Sequence, residues 1–154
     1  MQVDGVGEII IYSDGASRGN PGPAGIGAVL LDEGSQVVAE ISRGIGIATN
    51  NEAEYLALAE ALERAKELGA QRVRVYVDSE LVARQLTGKY AVRSSRLMPL
   101  VARVQRLRRA FESCPVTHVR RRMNARADEL ANRGIDAPVL AGRRFSEVDS
   151  SGRP

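Results

Sequence analysis

Short apolar runs alternate with amphipathic stretches along the chain and predict a mixed α/β domain. Glu8–Ser13 contains three consecutive isoleucines and a tyrosine, a composition typical of one buried strand. Ile26–Leu31 and Gln36–Ile45 predict two more strands, and the compact turn at residues 32–35 would join them as a hairpin. These three segments should form an antiparallel meander.

The second half of the chain switches to helical periodicity. Apolar positions spaced i, i+3, i+4 and i+7 predict a helix that starts near Thr49 and stops at Gly69. Arg72–Asp78 then alternates valines with polar residues, and a strand reached by a helical crossover should run parallel to its neighbour. The remaining predicted elements are a short helix through Leu86, a helix over Leu97–Phe111, a strand over Cys114–Arg120 and a helix capped by Asn124.

Length and composition fit one domain. The chain has 154 residues, of which 44% are hydrophobic, enough to bury a core. We assign residues 1–136 to a single domain and expect residues 137–154, which lack periodicity, to form a loosely ordered tail. One cysteine, no signal-peptide pattern and no membrane-length apolar run predict a cytoplasmic protein, which we expect to be a monomer.

The net charge of +3 conceals an uneven distribution. Eleven lysines and arginines fall between Lys89 and Arg126, against the single acid Glu112. A charge run is usually a solvated surface, but a basic region beside an acidic one indicates a polyanionic partner. The glycine- and proline-rich stretch after Asp14 is predicted to be a loop, too long for a two-residue hairpin turn. Its glycines match neither a dinucleotide fingerprint nor a phosphate loop, because no helix follows Gly27 and no Gly-Lys-Ser/Thr occurs.

Four carboxylates fall at the ends of predicted elements: Asp14, Glu54, Asp78 and Asp128. Each has an ordinary explanation by itself, as a turn former, a helix N-cap or an acid in the first turn of a helix. Functional groups nevertheless gather at the carboxyl ends of strands, the position predicted for Asp14 and Asp78. On the predicted helix Glu54 borders the buried stripe, whereas Glu52 should point further outward.

The stretches that carry these acids resemble the type 1 ribonuclease H family. They read IYSDGASRGNPGPAG, ATNNEAEYLALAEAL, VYVDSELV and HVRRRMNARADELAN, and together they cover about residues 8–136. The resemblance implies a five-stranded mixed sheet flanked by helices and cleavage of the RNA strand of RNA–DNA hybrids. It also implies that Asp14, Glu54, Asp78 and Asp128 are the catalytic metal ligands.

Four clustered carboxylates require raised pKa values or bound cations, and an all-oxygen ligand set selects Mg²⁺ or Mn²⁺. Two such ions could activate water and stabilise the leaving oxygen, which would leave 3′-hydroxyl and 5′-phosphate ends. Uncharged groups around the acids suit contacts to 2′-hydroxyls and phosphates. The predicted substrate-binding residues are Gly15, Ser17, Asn20, Thr49, Asn50 and Asn51.

The chain departs from the family pattern at two places. It has no Trp and no room between Gly88 and Leu97 for the basic insertion of some members, so the arginines of the basic region are expected to take over part of its role. The only histidine, His118, lies inside a predicted strand and not in the loop after it. Arg121 occupies the aligned loop position and would act electrostatically, because arginine cannot serve as a general base.

The sequence is also compatible with two alternatives. A non-catalytic module could bind hybrids or double-stranded RNA through the basic surface without needing the acids. A related nuclease could prefer double-stranded RNA as its substrate.

Overall fold

One five-stranded mixed sheet forms the centre of the computed structural model, which describes residues 7–137. Its strands are β1 (Glu8–Ser17), β2 (Gly22–Leu31), β3 (Val37–Ala48), β4 (Arg72–Val77) and β5 (Val116–His118). They lie in the order β3-β2-β1-β4-β5. β1, β2 and β3 pair antiparallel, whereas β4 and β5 continue the sheet in parallel. The predicted meander, the parallel fourth strand and the mixed sheet are confirmed.

Helices cover both faces of this sheet. They are α1 (Asn50–Glu67), α2 (Glu80–Leu86), α3 (Met98–Arg108) and α4 (Ala125–Asp136), and a 3₁₀ turn over Arg121–Asn124 leads into α4. The main core lies between the sheet and α1 with α3, where Ile11, Leu58 and Val75 are fully buried. α4 covers the opposite face, on the side of Gly25 and Gly27. Within residues 7–137 no helix is long and apolar enough to cross a membrane.

The prediction of a loop for the glycine-rich stretch after Asp14 is wrong, because most of this stretch belongs to strands β1 and β2. β1 continues to Ser17 and β2 starts at Gly22, so the turn occupies only residues 18–21. Asp14 pairs with Gly27 inside this hairpin. Glycine and proline normally mark turns, but here the small residues stay in the sheet because helices press against it.

The last strand is shorter than predicted. β5 spans Val116–His118, not Cys114–Arg120, because it is an edge strand and the preceding Pro115 has no N–H to donate to the ladder. The predicted tail lies almost wholly outside the described residues, which end at Ala137.

Candidate active site

Asp14 and Asp78 meet because the parallel ladder between β1 and β4 ends just before both. Its last pair is Ser13 with Val77, so the next residue of each strand is an aspartate. Asp14 is 5% exposed, and its side chain lies on the face of β1 that α4 covers. The carboxyl end of the strand pair therefore places two acids side by side.

Glu54 joins them from the first turns of α1. One carboxylate oxygen from each of Asp14, Glu54 and Asp78 lies within 4.8 Å of the others. This contact requires α1 to lie almost against β1, and it does so at Gly15. A Cβ at Gly15 would overlap the backbone of Ala53 and Glu54.

Asp128 approaches the same centre from α4. Its carboxylate interacts with Asp14, while Asn132 donates a hydrogen bond of 3.3 Å to Asp128 Oδ1. α4 can lie this close to the sheet because Gly27 opposes it, where a Cβ would overlap the backbone of Ala127 and Ala131. Among residues 7–137 the compact carboxylate cluster has three members, and Asp128 borders it.

Burial and mutual repulsion shift the protonation of this cluster. Burial, together with the negative charge of Asp78, raises the pKa of Asp14 to about 7. Burial, and next the charge of Asp14, raises the pKa of Glu54 well above its ordinary value. Asp14 and Glu54 are therefore harder to ionise than free carboxyls, and a cation bound between them would favour their charged forms.

This shift makes the stability of the cation-free protein depend on pH. The unfolded Asp14 carboxyl has a pKa of 3.8, so its protonated folded form favours folding below about pH 4. That contribution is lost as the pH rises through about 7. We therefore expect the melting temperature of the wild type, relative to Asp14→Asn, to fall between pH 4 and 8 in EDTA. Mg²⁺ or Mn²⁺ should restore it at pH 8, and a constant difference across this range would contradict the assignment.

Asn124 is a site residue that the sequence interpretation missed. It was predicted as a helix cap, and it does occupy the N-cap position of α4, but its side chain makes no capping hydrogen bond. The buried amide instead donates to Asp78 Oδ2 at 3.0 Å and to the Ser13 carbonyl at 2.8 Å. It therefore ties the start of α4 to the ends of β1 and β4. The sequence offered one indication of this role, because Asn124 lies four residues before the predicted metal ligand Asp128 and residues four apart share a face of a helix.

We expect Asn124→Ala to lower catalytic turnover by ~10–100-fold, the range seen when the residue that orients a metal ligand is lost. It should also lower the free energy of unfolding by about 1–3 kcal/mol, because the buried Ser13 carbonyl loses its donor. Steady-state kinetics and urea denaturation measure the two effects. Asn124→Asp should restore neither, since it places another acid against Asp78. Wild-type kinetics in Asn124→Ala would remove Asn124 from the site.

The prediction that Glu52 points outward from α1 is wrong. Glu52 is 1% exposed, and its carboxylate accepts from the Thr49 N–H at 2.8 Å and from Arg96 Nε at 2.8 Å. Thr49 Oγ1 accepts from the Glu52 N–H in return, which completes a capping box. Glu52 thus anchors the start of α1 and the segment before α3, while Glu54 reaches the acids.

The predicted substrate-binding residues interlock beside the acids. The Asn50 N–H donates to Asn20 Oδ1 at 2.9 Å, and the Ser17 N–H donates to Asn50 Oδ1 at 3.0 Å. The Ser17 hydroxyl donates to the Ala48 carbonyl at 2.8 Å. The turn at residues 18–21 is consequently fastened to the start of α1, and the amide groups of Asn20 and Asn50 stay at the surface. Asn51 is half-buried next to them.

Several arginines of the basic region serve the fold and not a free surface. Arg103 pairs with Glu63 at 2.8 Å, and Arg126 pairs with Glu40 and Glu129. The guanidinium of Arg108 donates to the carbonyls of Leu86 and Cys114. The sequence count therefore overstates the cationic surface. The exposed cations of the region that make no ion pair within residues 7–137 are Lys89, Arg93, Arg106, Arg109, Arg120, Arg121 and Arg122.

Comparison with known proteins agrees with this geometry. A family model described as "Reverse transcriptase-like" matches residues 12–134. Ribonuclease HI of Halobacterium salinarum is 45% identical over 136 residues, which are 88% of this chain and 68% of the relative. A bifunctional protein of Mycobacterium tuberculosis is 44% identical over 131 residues, 84% of this chain but only 36% of that protein.

Solved structures show the same architecture. The crystal structure of RNase H1 from Halobacterium salinarum superposes with a TM-score of 0.82 at 45% identity, covering 84% of this chain and 98% of that one. LC11-RNase H1, a protein isolated from compost by a metagenomic approach, has been solved in complex with an RNA/DNA hybrid. That complex gives a TM-score of 0.79 at 44% identity, over 83% of this chain and 96% of its own.

The sheet order, the helices on both faces and the acids at the carboxyl end of β1 and β4 define a ribonuclease H-like domain. The chain belongs to the type 1 ribonuclease H family, and it is a hydrolase of that kind.

Proposed function

We propose that this chain is a metal-dependent endonuclease that hydrolyses the RNA strand of RNA–DNA hybrids. The observation that carries the proposal is the convergence of Asp14, Glu54 and Asp78 oxygens within 4.8 Å. The complex of the related LC11-RNase H1 with an RNA/DNA hybrid supports the choice of substrate. The products would carry 3′-hydroxyl and 5′-phosphate ends.

The donor set fits hard divalent cations. All the candidate ligands are carboxylate oxygens, which Mg²⁺ and Mn²⁺ prefer. Burial, and next the repulsion between carboxylates, raises the pKa values of Asp14 and Glu54, and a bound cation would offset both effects. Two bound ions would lower the pKa of the attacking water and neutralise the leaving oxygen. Asp14, Glu54, Asp78 and Asp128 would hold them, from four different elements of the fold.

The chain's own residues would orient the substrate around this centre. Asn124 holds the Asp78 carboxylate in place through its amide. The surface amides of Asn20 and Asn50, with Asn51 and Thr49 at the start of α1, can contact 2′-hydroxyls and phosphates, the groups that distinguish RNA from DNA. Gly15 and Ser17 support this edge of the site: the Gly15 N–H donates to Asp14 Oδ1 at 2.9 Å, and the Ser17 N–H donates to Asn50 Oδ1 at 3.0 Å. The contacts to 2′-hydroxyls would select the RNA strand.

A direct assay tests the proposal. The purified protein is mixed with end-labelled RNA–DNA hybrid, double-stranded RNA and double-stranded DNA in one competition series with Mg²⁺ or Mn²⁺. We expect the RNA strand of the hybrid to be cut first. Intact hybrid at high protein concentration, with binding preserved, would favour the non-catalytic module instead. Preferential cleavage of double-stranded RNA would favour the alternative nuclease.

Arg121 provides a separate prediction. It begins the 3₁₀ turn that ends at Asn124, and its side chain is exposed. If its charge acts on the scissile phosphate, Arg121→Ala should lower kcat by ~10²-fold, as expected for one electrostatic donor. Arg122→Ala, the adjacent exposed residue, is the matched control and should change kcat by less than about threefold, in line with the small energies of exposed charges. Equal small effects would make Arg121 a surface residue.

A further inference from the structure

A polar cleft separate from the acid cluster lies between α2 and the edge strand β5. It has a volume of about 260 Å³, and its polar lining residues are Glu80, Arg84, Thr87, Lys89, Thr117 and His118. Ala83 and Val116 also line it. His118 pairs with Val77, the residue just before Asp78, and β5 runs parallel to β4. The cleft therefore opens at the same end of the sheet as the acids, one strand further out.

The cleft is cationic and rich in hydrogen-bond donors. Arg84 is neutralised by Glu80 at 2.8 Å, and its guanidinium lies 5.4 Å above the ring of Tyr90. Lys89 and His118 are exposed, and within residues 7–137 neither has a carboxylate at salt-bridge distance. The Thr87 hydroxyl donates to the Ala83 carbonyl at 2.9 Å. One free ammonium, an imidazole N–H and the Thr117 hydroxyl thus line a space whose one acid among the described residues, Glu80, is already paired. This combination suits a phosphate group.

Lys89 is held at the mouth of the cleft. The N–H groups of Lys89 and Tyr90 both donate to the Arg84 carbonyl, at 2.8 and 3.1 Å, and so close the end of α2. A lysine at a helix C-terminus also stabilises the helix, which is the ordinary explanation for its position. Helix stabilisation, however, gives no reason for His118 and Thr117 of β5 to complete the same cleft.

The distance between the cleft and the acids indicates what kind of phosphate ligand could reach both. Asp78 directly precedes the N-cap Ser79, and the seven residues of α2 are about 10 Å long at 1.5 Å per residue. Along the axis of a duplex the phosphates of one strand advance by about 3.4 Å each, so in a duplex that runs beside α2 the far end of the cleft lies about three phosphates from the acids. A single small anion cannot occupy both places, but a nucleic-acid strand can.

We propose that this cleft binds a backbone phosphate of the nucleic acid about three nucleotides from the bond that is cut, with Lys89 and His118 as its ligands. The inference rests on the proposed function. It assigns part of the substrate binding to the edge of the sheet and not to Arg103 of α3, which is paired with Glu63.

The test pairs protein variants with chemically neutralised phosphates. Hybrid affinity is measured in an Asp78→Asn background, which leaves the hybrid uncut, for Lys89→Ala/His118→Ala and for the control Lys66→Ala. Lys66 is an exposed cation near the other end of α1, about 18 Å from Glu54 along the helix. Methylphosphonate linkages are placed singly at positions one to six on each side of the central bond in each strand.

We expect the double variant to weaken binding by ~10-fold and to reduce the salt slope by about one phosphate contact, whereas Lys66→Ala changes neither. One neutral linkage, about three positions from the centre, should weaken binding of the hybrid to the Asp78→Asn protein with an intact cleft. The same linkage should have no further effect on binding to the protein that also carries Lys89→Ala/His118→Ala. Additive effects at every position, or equal behaviour of the double variant and Lys66→Ala, would overturn the proposal. Failure of the proposed function is distinguishable, because the otherwise wild-type chain would then leave the hybrid uncut.

Discussion

Asp78→Asn is expected to lower the rate of hybrid cleavage by ~10³-fold or more while hybrid binding persists or tightens. The substitution keeps the shape of the side chain but removes one of the three carboxylates whose oxygens lie within 4.8 Å of one another. Without the Asp78 carboxylate the site should lose much of its affinity for a divalent cation. Binding should not suffer, because a negative group beside the phosphates has been removed.

The two outcomes are measured separately, as single-turnover cleavage and as equilibrium binding. Glu67→Gln is a matched control, since Glu67 is an exposed acid at the far end of α1 with only a 3.7 Å pair to Arg64. It should leave cleavage unchanged. If Asp78→Asn cleaves at the wild-type rate, the carboxylate cluster does not carry the chemistry, and the family's metal-ligand pattern does not transfer to this chain.

Gly15→Ala should cost about 3–5 kcal/mol in the free energy of unfolding, the range of severe overpacking and backbone strain. The added methyl group would overlap the backbone atoms of Ala53 and Glu54, which cannot rotate away as a side chain can. α1 must then move off β1. Because α1 carries Glu54, cleavage should fall together with stability even in the fraction that stays folded.

Urea denaturation and the specific activity of folded protein test this expectation. Gly34→Ala is the control: Gly34 lies in the turn between β2 and β3, where the nearest atom to an added Cβ is Asp32 Oδ1 at 3.5 Å. It should change the free energy of unfolding by less than about 0.5 kcal/mol. A stable, active Gly15→Ala protein would mean that the helix can relax without displacing Glu54.

Local patterns predicted most of the elements. Periodicity along the chain predicts an element when one of its faces is buried. This holds for the isoleucine run of β1, the alternating valines of β4 and the apolar stripe of α1. Boundaries were less reliable where tertiary packing decided them. The glycine-rich hairpin was assigned to a loop because the sequence does not show that two helices press on it.

The residues of the candidate site were likewise predicted only in part. The acids Asp14, Glu54, Asp78 and Asp128 were predicted from their places at element ends and from the family's motifs. Asn124 was not predicted as a site residue, since an asparagine at a helix start is explained as a cap, and only the fold shows its amide on Asp78. Glu52 was placed outward because its helical position cannot reveal the capping box or Arg96.

The sequence by itself determined most of the strands and helices, and the four acids near their ends, because these depend on spacing along the chain. Only the tertiary structure decided how closely the acids approach, which arginines are consumed by ion pairs and that Lys89 and His118 share a cleft. Those outcomes depend on the separation of elements that are distant in sequence. That separation is set by close contact at Gly15 and Gly27, where the absence of a side chain brings the helix backbone against the sheet.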